Sequence, residues 1–144
     1  MGSGGIEDME TYNSMPGIQK LLSDFLGGEM NQEKIEGLLK LFPYDSSIIT
    51  DEMIEDRMQI LPLMNPQVLA SMKIPNLEDD LGKITHPMLV FWGMDDKFCP
   101  VSGASKIGQK CHDAQIILFS RCGHWVMIER EEIFNQTCID FLNR

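Results

Sequence analysis

The sequence predicts an α/β chain in which a helical layer precedes the last two parallel strands and helices of a sheet. Three observations predict it. Residues 15–82 repeat apolar positions at helical spacing and hold no clear strand. Two apolar runs follow, Met88-Leu89-Val90-Phe91-Trp92 and Ala114-Gln115-Ile116-Ile117-Leu118-Phe119, with a stretch of helical character between them. Each run leads into a short loop that carries a titratable group. An apolar run bounded by Pro and Gly marks a strand buried on both faces, as in parallel sheets.

The elements can be justified in order. Residues 1–14 are polar and Gly-rich and read as a loop leading into the helical layer. From Pro16 to Phe25, Ile18, Leu21, Leu22 and Phe25 recur at helical spacing, and Gly27-Gly28 stops the pattern. Asn31 suits the N-cap of a second helix through Ile35, Leu38, Leu39 and Leu41, which ends before Pro43. Thr50 caps a third helix from Asp51 to about Ile60, with acids in its first turn where the helix dipole favours them. Asn65-Pro66 starts a fourth, short helix, because proline is tolerated at the first helical position. Asn76 to Leu81 forms one more turn. Met30, Met53, Met58, Met64 and Met72 are scattered through this layer. Methionine adapts its shape to irregular apolar space, which suits core filling or a lid over an apolar ligand.

After His86-Pro87 the pattern changes. The first strand is followed by a helix from Val101 to Cys111, weakened by Gly103 and Gly108, then by the second strand. A terminal helix from Glu129 to Leu142 turns Ile133, Phe134, Cys138, Phe141 and Leu142 inward. Strand–helix–strand–helix implies a parallel crossover. The expected division is a leading loop (1–14), a helical lid (15–82) and a partial core (83–144). Two strands do not make a stable parallel sheet, so other strands are expected to come from elsewhere. An open sheet edge also favours pairing with another copy, so a homo-oligomer is expected.

Composition narrows the function. A net charge of −10 without a basic cluster disfavours nucleic-acid binding, which needs grouped Lys and Arg to neutralise phosphates. The acids fall in short groups, such as Glu78-Asp79-Asp80, that read as solvated helix faces and lack Ca²⁺-loop spacing. No apolar run reaches the 18 residues of a membrane span. Cys99, Cys111, Cys122 and Cys138 form no CxxC pair and no zinc spacing, so no metal or other cofactor is expected and a reduced, cytoplasmic setting is. Met1-Gly2-Ser3-Gly4-Gly5 has neither Walker A nor GxGxxG spacing.

The chemistry is expected beyond the carboxyl ends of the strands, where open α/β sheets gather reactive groups. Asp96 sits in Trp92-Gly93-Met94-Asp95-Asp96-Lys97-Phe98-Cys99-Pro100, and His124 in Phe119-Ser120-Arg121-Cys122-Gly123-His124-Trp125. An acid followed by a histidine, each on the loop after a strand, is the second half of a triad in the order Ser…Asp…His, as α/β-hydrolases carry it. The acid fixes the histidine tautomer and stabilises the imidazolium that forms during attack. Asp95 competes with Asp96 for the acid role. His86 and His112 lack such a context and read as surface residues. No G-x-S-x-G occurs in the chain, and Gly103-Ala104-Ser105-Lys106-Ile107 fails at its last position and follows the acid. The chain is therefore expected to be the C-terminal part of such a fold, with its nucleophile elsewhere.

These two loop segments, with Ile128-Glu129 and Phe134-Asn135 after them, closely resemble the meta-cleavage-product hydrolases. Those enzymes split carbon–carbon bonds in the ring-fission products of aromatic or steroid catabolism. Phe42-Pro43-Tyr44-Asp45, Ile49-Thr50-Asp51-Glu52 and Arg57 match the lid of that family in order and spacing, and Met1 to Gly5 resembles the glycine loop before it. The lid is shorter than usual between Arg57 and Ile84. The resemblance implies Asp96 as triad acid and His124 as general base. It implies that Arg57 reaches the polar end of a dienoate substrate, whose carboxylate suits a guanidinium fork. It implies a pocket lined by Trp125, Phe98 and Cys99. In that family the histidine is implicated in ketonising the dienol before a serine-assisted hydrolysis. Two other readings stay open: a self-associating chain that does no chemistry, and another branch of the fold, such as an ester hydrolase, dehalogenase or epoxide hydrolase.

Overall fold

The computed structural model describes residues 2–63 and 75–144. The helix expected at Asn65-Pro66, with Met64 and Met72, lies outside them.

The first helix is one that the composition hides. Residues Met9–Ser14 form α1 inside the stretch expected to be loop. Asp8 caps it by accepting from the Thr11 amide at 2.7 Å. Tyr12 anchors it: its ring is 3% exposed, and its hydroxyl accepts from the Ile6 amide and donates to the Ser3 carbonyl, both at 3.1 Å. Helix α2 (Pro16–Leu26) starts on its proline, with Gly27 as C-cap, as the sequence suggests. Lys34 places its ammonium on the carbonyls of Asp24, Gly27 and Glu29 at this C-terminus, where a cation is favoured. Helix α3 (Gln32–Leu39) is capped by Asn31 through the Lys34 amide, and α4 (Asp51–Ile60) by Thr50 through the Met53 amide. Among the described residues the layer also holds short 3-10 turns at Ser46–Ile48, Leu61–Leu63 and Glu78–Lys83.

Strand β1 (Met88–Gly93) pairs in parallel with β2 (Ala114–Phe119), from Met88 opposite Ala114 to Gly93 opposite Phe119. Helix α5 (Ser102–Lys110) connects them. Of the two glycines that weakened this helix in sequence, Gly103 has a packing reason: it lies so close to Trp92 that a Cβ there would meet the indole at 2.8 Å. Among the described residues β1 has one partner strand, so the sheet is partial.

The helical layer and the sheet share one core. Ile6, Tyr12 and Leu38 pack with Leu81, Val90, Trp92, Phe98, Ala104 and Ile107. Ion pairs strap the outer side of α5: Glu7 accepts from Ser102 Oγ at 2.6 Å and from Lys106 Nζ at 2.5 Å, and Lys106 also reaches Glu78 at 2.9 Å.

The terminal helix differs from expectation in two ways. It is divided into α6 (Val126–Glu129) and α7 (Glu131–Leu142), with Arg130 between them at φ −135°. The Arg130 guanidinium turns back to the carbonyls of Ser120, Arg121 and Glu129, at 3.1, 2.7 and 2.7 Å, and so fixes the break. The inner face is also narrower. Phe134 and Cys138 pack against Phe91, Cys122 and Val126, whereas Ile133 and Leu142 are 49% and 79% exposed. The two strands beneath α7 cover only its central stripe.

Candidate active site

Asp96 and His124 meet where β1 and β2 end. His124 Nδ1 lies 2.8 Å from Asp96 Oδ2, and the Asp96 side chain is 1% exposed against 24% for the histidine. The other carboxylate oxygen, Oδ1, accepts from the Phe98 amide at 2.8 Å and the Cys99 amide at 2.9 Å. Asp96 is thus oriented by its own turn, with one oxygen held by backbone and the other given to the imidazole. Charge-assisted bonds of this kind are each worth about 1.5–3 kcal/mol, so the buried carboxylate is well compensated. Among the described residues no buried side-chain N or O lacks a partner.

Asp95, the competing acid, takes a different place. It is exposed, and its amide donates to the Cys122 carbonyl at 3.0 Å. This bond is one stitch of several between the two loops. The Met94 amide donates to the Phe119 carbonyl at 2.9 Å. A Cβ on Gly93 would sit 2.0 Å from the Gly123 carbonyl oxygen, so the loops touch only because this residue has no side chain. Gly123 is confined in the same way by the segment after α3, where a Cβ would fall 2.3 Å from the Phe42 carbonyl oxygen. That carbonyl accepts the His124 amide at 2.6 Å. Gly2, in the leading glycine stretch, also borders the acid, since a Cβ there would lie 2.4 Å from Asp96 Oδ2.

An aromatic group surrounds the imidazole. Phe42 stacks on Phe98 at 4.2 Å and on Trp125 at 4.8 Å, and the His124 ring is tilted against Phe42 and Phe98 at 5.7 and 5.5 Å. Such pairs add about 0.5–1.5 kcal/mol each beyond their burial. They also exclude water from one side of the ring.

The residues assigned to a substrate pocket divide into two sets. Arg57 and Trp125 line an apolar cavity of about 270 Å³ within the helical layer, with Leu21, Leu38, Phe42 and Leu61. Arg57 is the charged group of that lining and is exposed on α4. Phe98 and Cys99 are not in this lining. Phe98, 6% exposed, is core packing behind the histidine. Cys99 is 8% exposed, and its carbonyl accepts the Trp92 indole N–H at 3.1 Å. Burial and the neighbouring Asp96 charge push its thiol up to about 12, so it stays protonated and poorly nucleophilic.

Asp96, Cys99 and His124 bring three donor atoms within 4.8 Å of one another. Their chemistry does not suit a coordination set. Both Asp96 oxygens are engaged, the histidine nitrogen beside it is in the same bond, and the thiol holds its proton. The grouping is a hydrogen-bonded acid and base. His86 and His112 are exposed and take no part.

One residue of the corner was not assigned a role from sequence. Glu129 Oε1 accepts the Gly123 amide, and Oε2 accepts the Tyr44 amide, each at 2.8 Å. Tyr44 lies 85 positions from Glu129, so no local spacing could reveal the bond. Phe42, quoted in sequence only as part of a lid pattern, is the second addition.

The alpha/beta hydrolase fold family matches residues 7–131. A 2-hydroxy-6-oxo-6-phenylhexa-2,4-dienoate hydrolase of Burkholderia cepacia is 35% identical over 153 residues, covering 99% of this chain and 52% of that protein. A 2-hydroxy-6-oxononadienedioate/2-hydroxy-6-oxononatrienedioate hydrolase of Comamonas testosteroni is 35% identical over 152 residues, with the same two coverages, 99% and 52%. Among solved structures, a meta-cleavage product hydrolase of Pseudomonas fluorescens superposes with a TM-score of 0.77 at 25% identity, over 99% of this chain and 54% of that one. The resemblance read from the two loops and the lid is borne out by these relatives. The chain spans about half the length of the curated relatives it matches. With 125 of its 144 positions (residues 7–131) inside the family match, this chain belongs to the alpha/beta hydrolase fold family.

Proposed function

We propose that this chain supplies the acid, the base and the lid of a hydrolase that cleaves a carbon–carbon bond in 2-hydroxy-6-oxo-dienoates. The observation that carries the reading is the Asp96–His124 bond at 2.8 Å, with the second Asp96 oxygen held by two amides. With Asp96 accepting the Nδ1 proton, Nε2 is the basic nitrogen, able to take a proton from the substrate dienol or from a serine and to return it later. An apolar cavity with one guanidinium suits a substrate with a carboxylate at one end and an apolar tail at the other. The relatives named above support this substrate class.

No G-x-S-x-G lies in these 144 residues, so the nucleophile of the reaction comes from outside them. The oxyanion donors are assigned to the same outside part. The chain alone is expected to leave dienoates intact. A gene fusion that joins it to the complementary half of the Burkholderia relative is expected to consume 2-hydroxy-6-oxo-6-phenylhexa-2,4-dienoate, followed by loss of dienolate absorbance. A folded fusion that hydrolyses simple aryl esters but no dienoate would move the assignment to the esterase branch of the fold.

A second reading concerns assembly. One edge of β1 is unpaired among the described residues, and Leu118, Ile133, Ile139 and Leu142 are exposed. We read these surfaces as the reason the chain on its own would self-associate, and a monomer by sedimentation at all concentrations would remove that reading. A reducing, cytoplasmic setting suits the four free thiols. No described helix is long and apolar enough to cross a membrane.

A further inference from the structure

The geometry points to Glu129 as a positioning residue for His124, one that couples the imidazole to the base of the lid. The inference rests on the reading of His124 as the base. Three backbone bonds define the histidine turn. Gly123 gives its amide to Glu129 Oε1 at 2.8 Å. His124 gives its amide to the Phe42 carbonyl at 2.6 Å. Tyr44, two residues after Phe42, gives its amide to Glu129 Oε2 at 2.8 Å. One carboxylate therefore holds the peptide before the histidine with one oxygen and the lid segment with the other. The Phe42 carbonyl closes the circuit. Phe42 also stacks on Phe98 and Trp125, which fixes the lid segment from its other side.

The chemistry requires a carboxylate at this place. The two amides are N–H donors, and the Cys122 thiol adds a longer contact to Oε1 at 3.8 Å, so both oxygens must accept. A carboxylate satisfies this with its two oxygens. A glutamine of the same shape does not, because its NH₂ would face one of the two amides, donor against donor. An aspartate is one methylene shorter and does not span both. Glu129 is able to reach because α6 ends at this residue, and Arg130 turns the chain away by bonding the Glu129 carbonyl at 2.7 Å. The side chain is thus aimed back across the short helix at the turn it supports. A displacement of the lid segment is transmitted through this carboxylate to the Gly123 peptide, and so to the imidazole on Asp96.

The test is nuclear magnetic resonance on the full chain, free of any assay of turnover. A histidine Nδ1 proton bonded to a carboxylate gives a low-field resonance, assigned here by its loss in Asp96→Asn and His124→Ala. In Glu129→Gln that resonance is expected to broaden or vanish, with the His124 titration shifted, while amide signals of α5 and α7 stay in place. Amide exchange at Gly123 and Tyr44 is expected to accelerate together by at least tenfold. An unchanged low-field proton and an unchanged titration in Glu129→Gln overturn the proposal, even if the melting temperature falls, since a packing role alone predicts that pattern. If Glu129→Gln does not fold, Glu129→Asp serves: it retains the charge, and protection is expected to survive at one of the two amides and to be lost at the other. Equal protection at both in Glu129→Asp overturns the shared-carboxylate account. Dienoate turnover that survives His124→Ala in the fusion would count against the base reading, whereas a normal imidazole in the Glu129 variants counts against the positioning role alone.

Discussion

Among the described residues, two of the long-range fasteners between the helical layer and the sheet are built from different materials. At the reactive corner, Gly93, Gly123, Phe42 and Asp95 meet through backbone groups, and Cβ-free residues allow contacts that no side chain could enter. Across α5, Glu7, Lys106, Glu78 and Lys110 meet through side-chain charges, most of them half-exposed. The corner is sensitive to shape, and its two carboxylates, Asp96 and Glu129, are held by backbone amides. The strap is tolerant of shape and sensitive to pH and salt. A site that must hold an imidazole to a fraction of an ångström uses the first kind of fastener.

The largest effect is expected from Gly93→Ala. Its methyl group would overlap the Gly123 carbonyl oxygen at 2.0 Å, so the two loops must separate. A loss of about 3 kcal/mol in urea unfolding is expected. A change under about 0.5 kcal/mol would mean that the corner yields easily and does not fix the site. The smaller effect belongs to the strap. Hydrogen bonds from Lys106 and then Lys110 hold the Glu78 carboxyl below its ordinary value. The sign follows from linkage. A depressed carboxyl contributes stability above its usual titration range and loses it as pH falls through the lowered value. Lys106→Met should therefore lower the melting temperature modestly at neutral pH and flatten the acid limb of the profile. Equal acid sensitivity with and without Lys106 would place that sensitivity elsewhere.

The same contrast explains what was legible in the sequence. Both strands were, because a buried parallel strand is an uninterrupted apolar run and the runs stop at Gly93 and Phe119. The caps at Asn31 and Thr50 were, since capping is a local bond three residues long. Asp96 and His124 were readable from their order and their loops. Helix α1 was not, because it is secured by the Tyr12 hydroxyl and a single Asp8 cap rather than by an apolar stripe. The break at Arg130 was not, because its guanidinium bonds carbonyls nine and ten residues back. Glu129 was invisible as a fastener for the same reason. Phe98 and Cys99, expected in the pocket lining, are buried and do not line the 270 Å³ cavity. Sequence order says which loop a residue is on, and packing decides which side of it faces the ligand.

Whether one buried carboxylate sets the histidine for proton transfer is decided by Asp96→Asn in the fused hydrolase. The substitution keeps size and shape, but with its oxygen still accepting the Phe98 and Cys99 amides its NH₂ group faces Nδ1, so the wrong ring nitrogen carries the proton. The account predicts dienoate turnover reduced by about 10⁴-fold with the fold intact. Turnover within a few-fold of the parent fusion would contradict it.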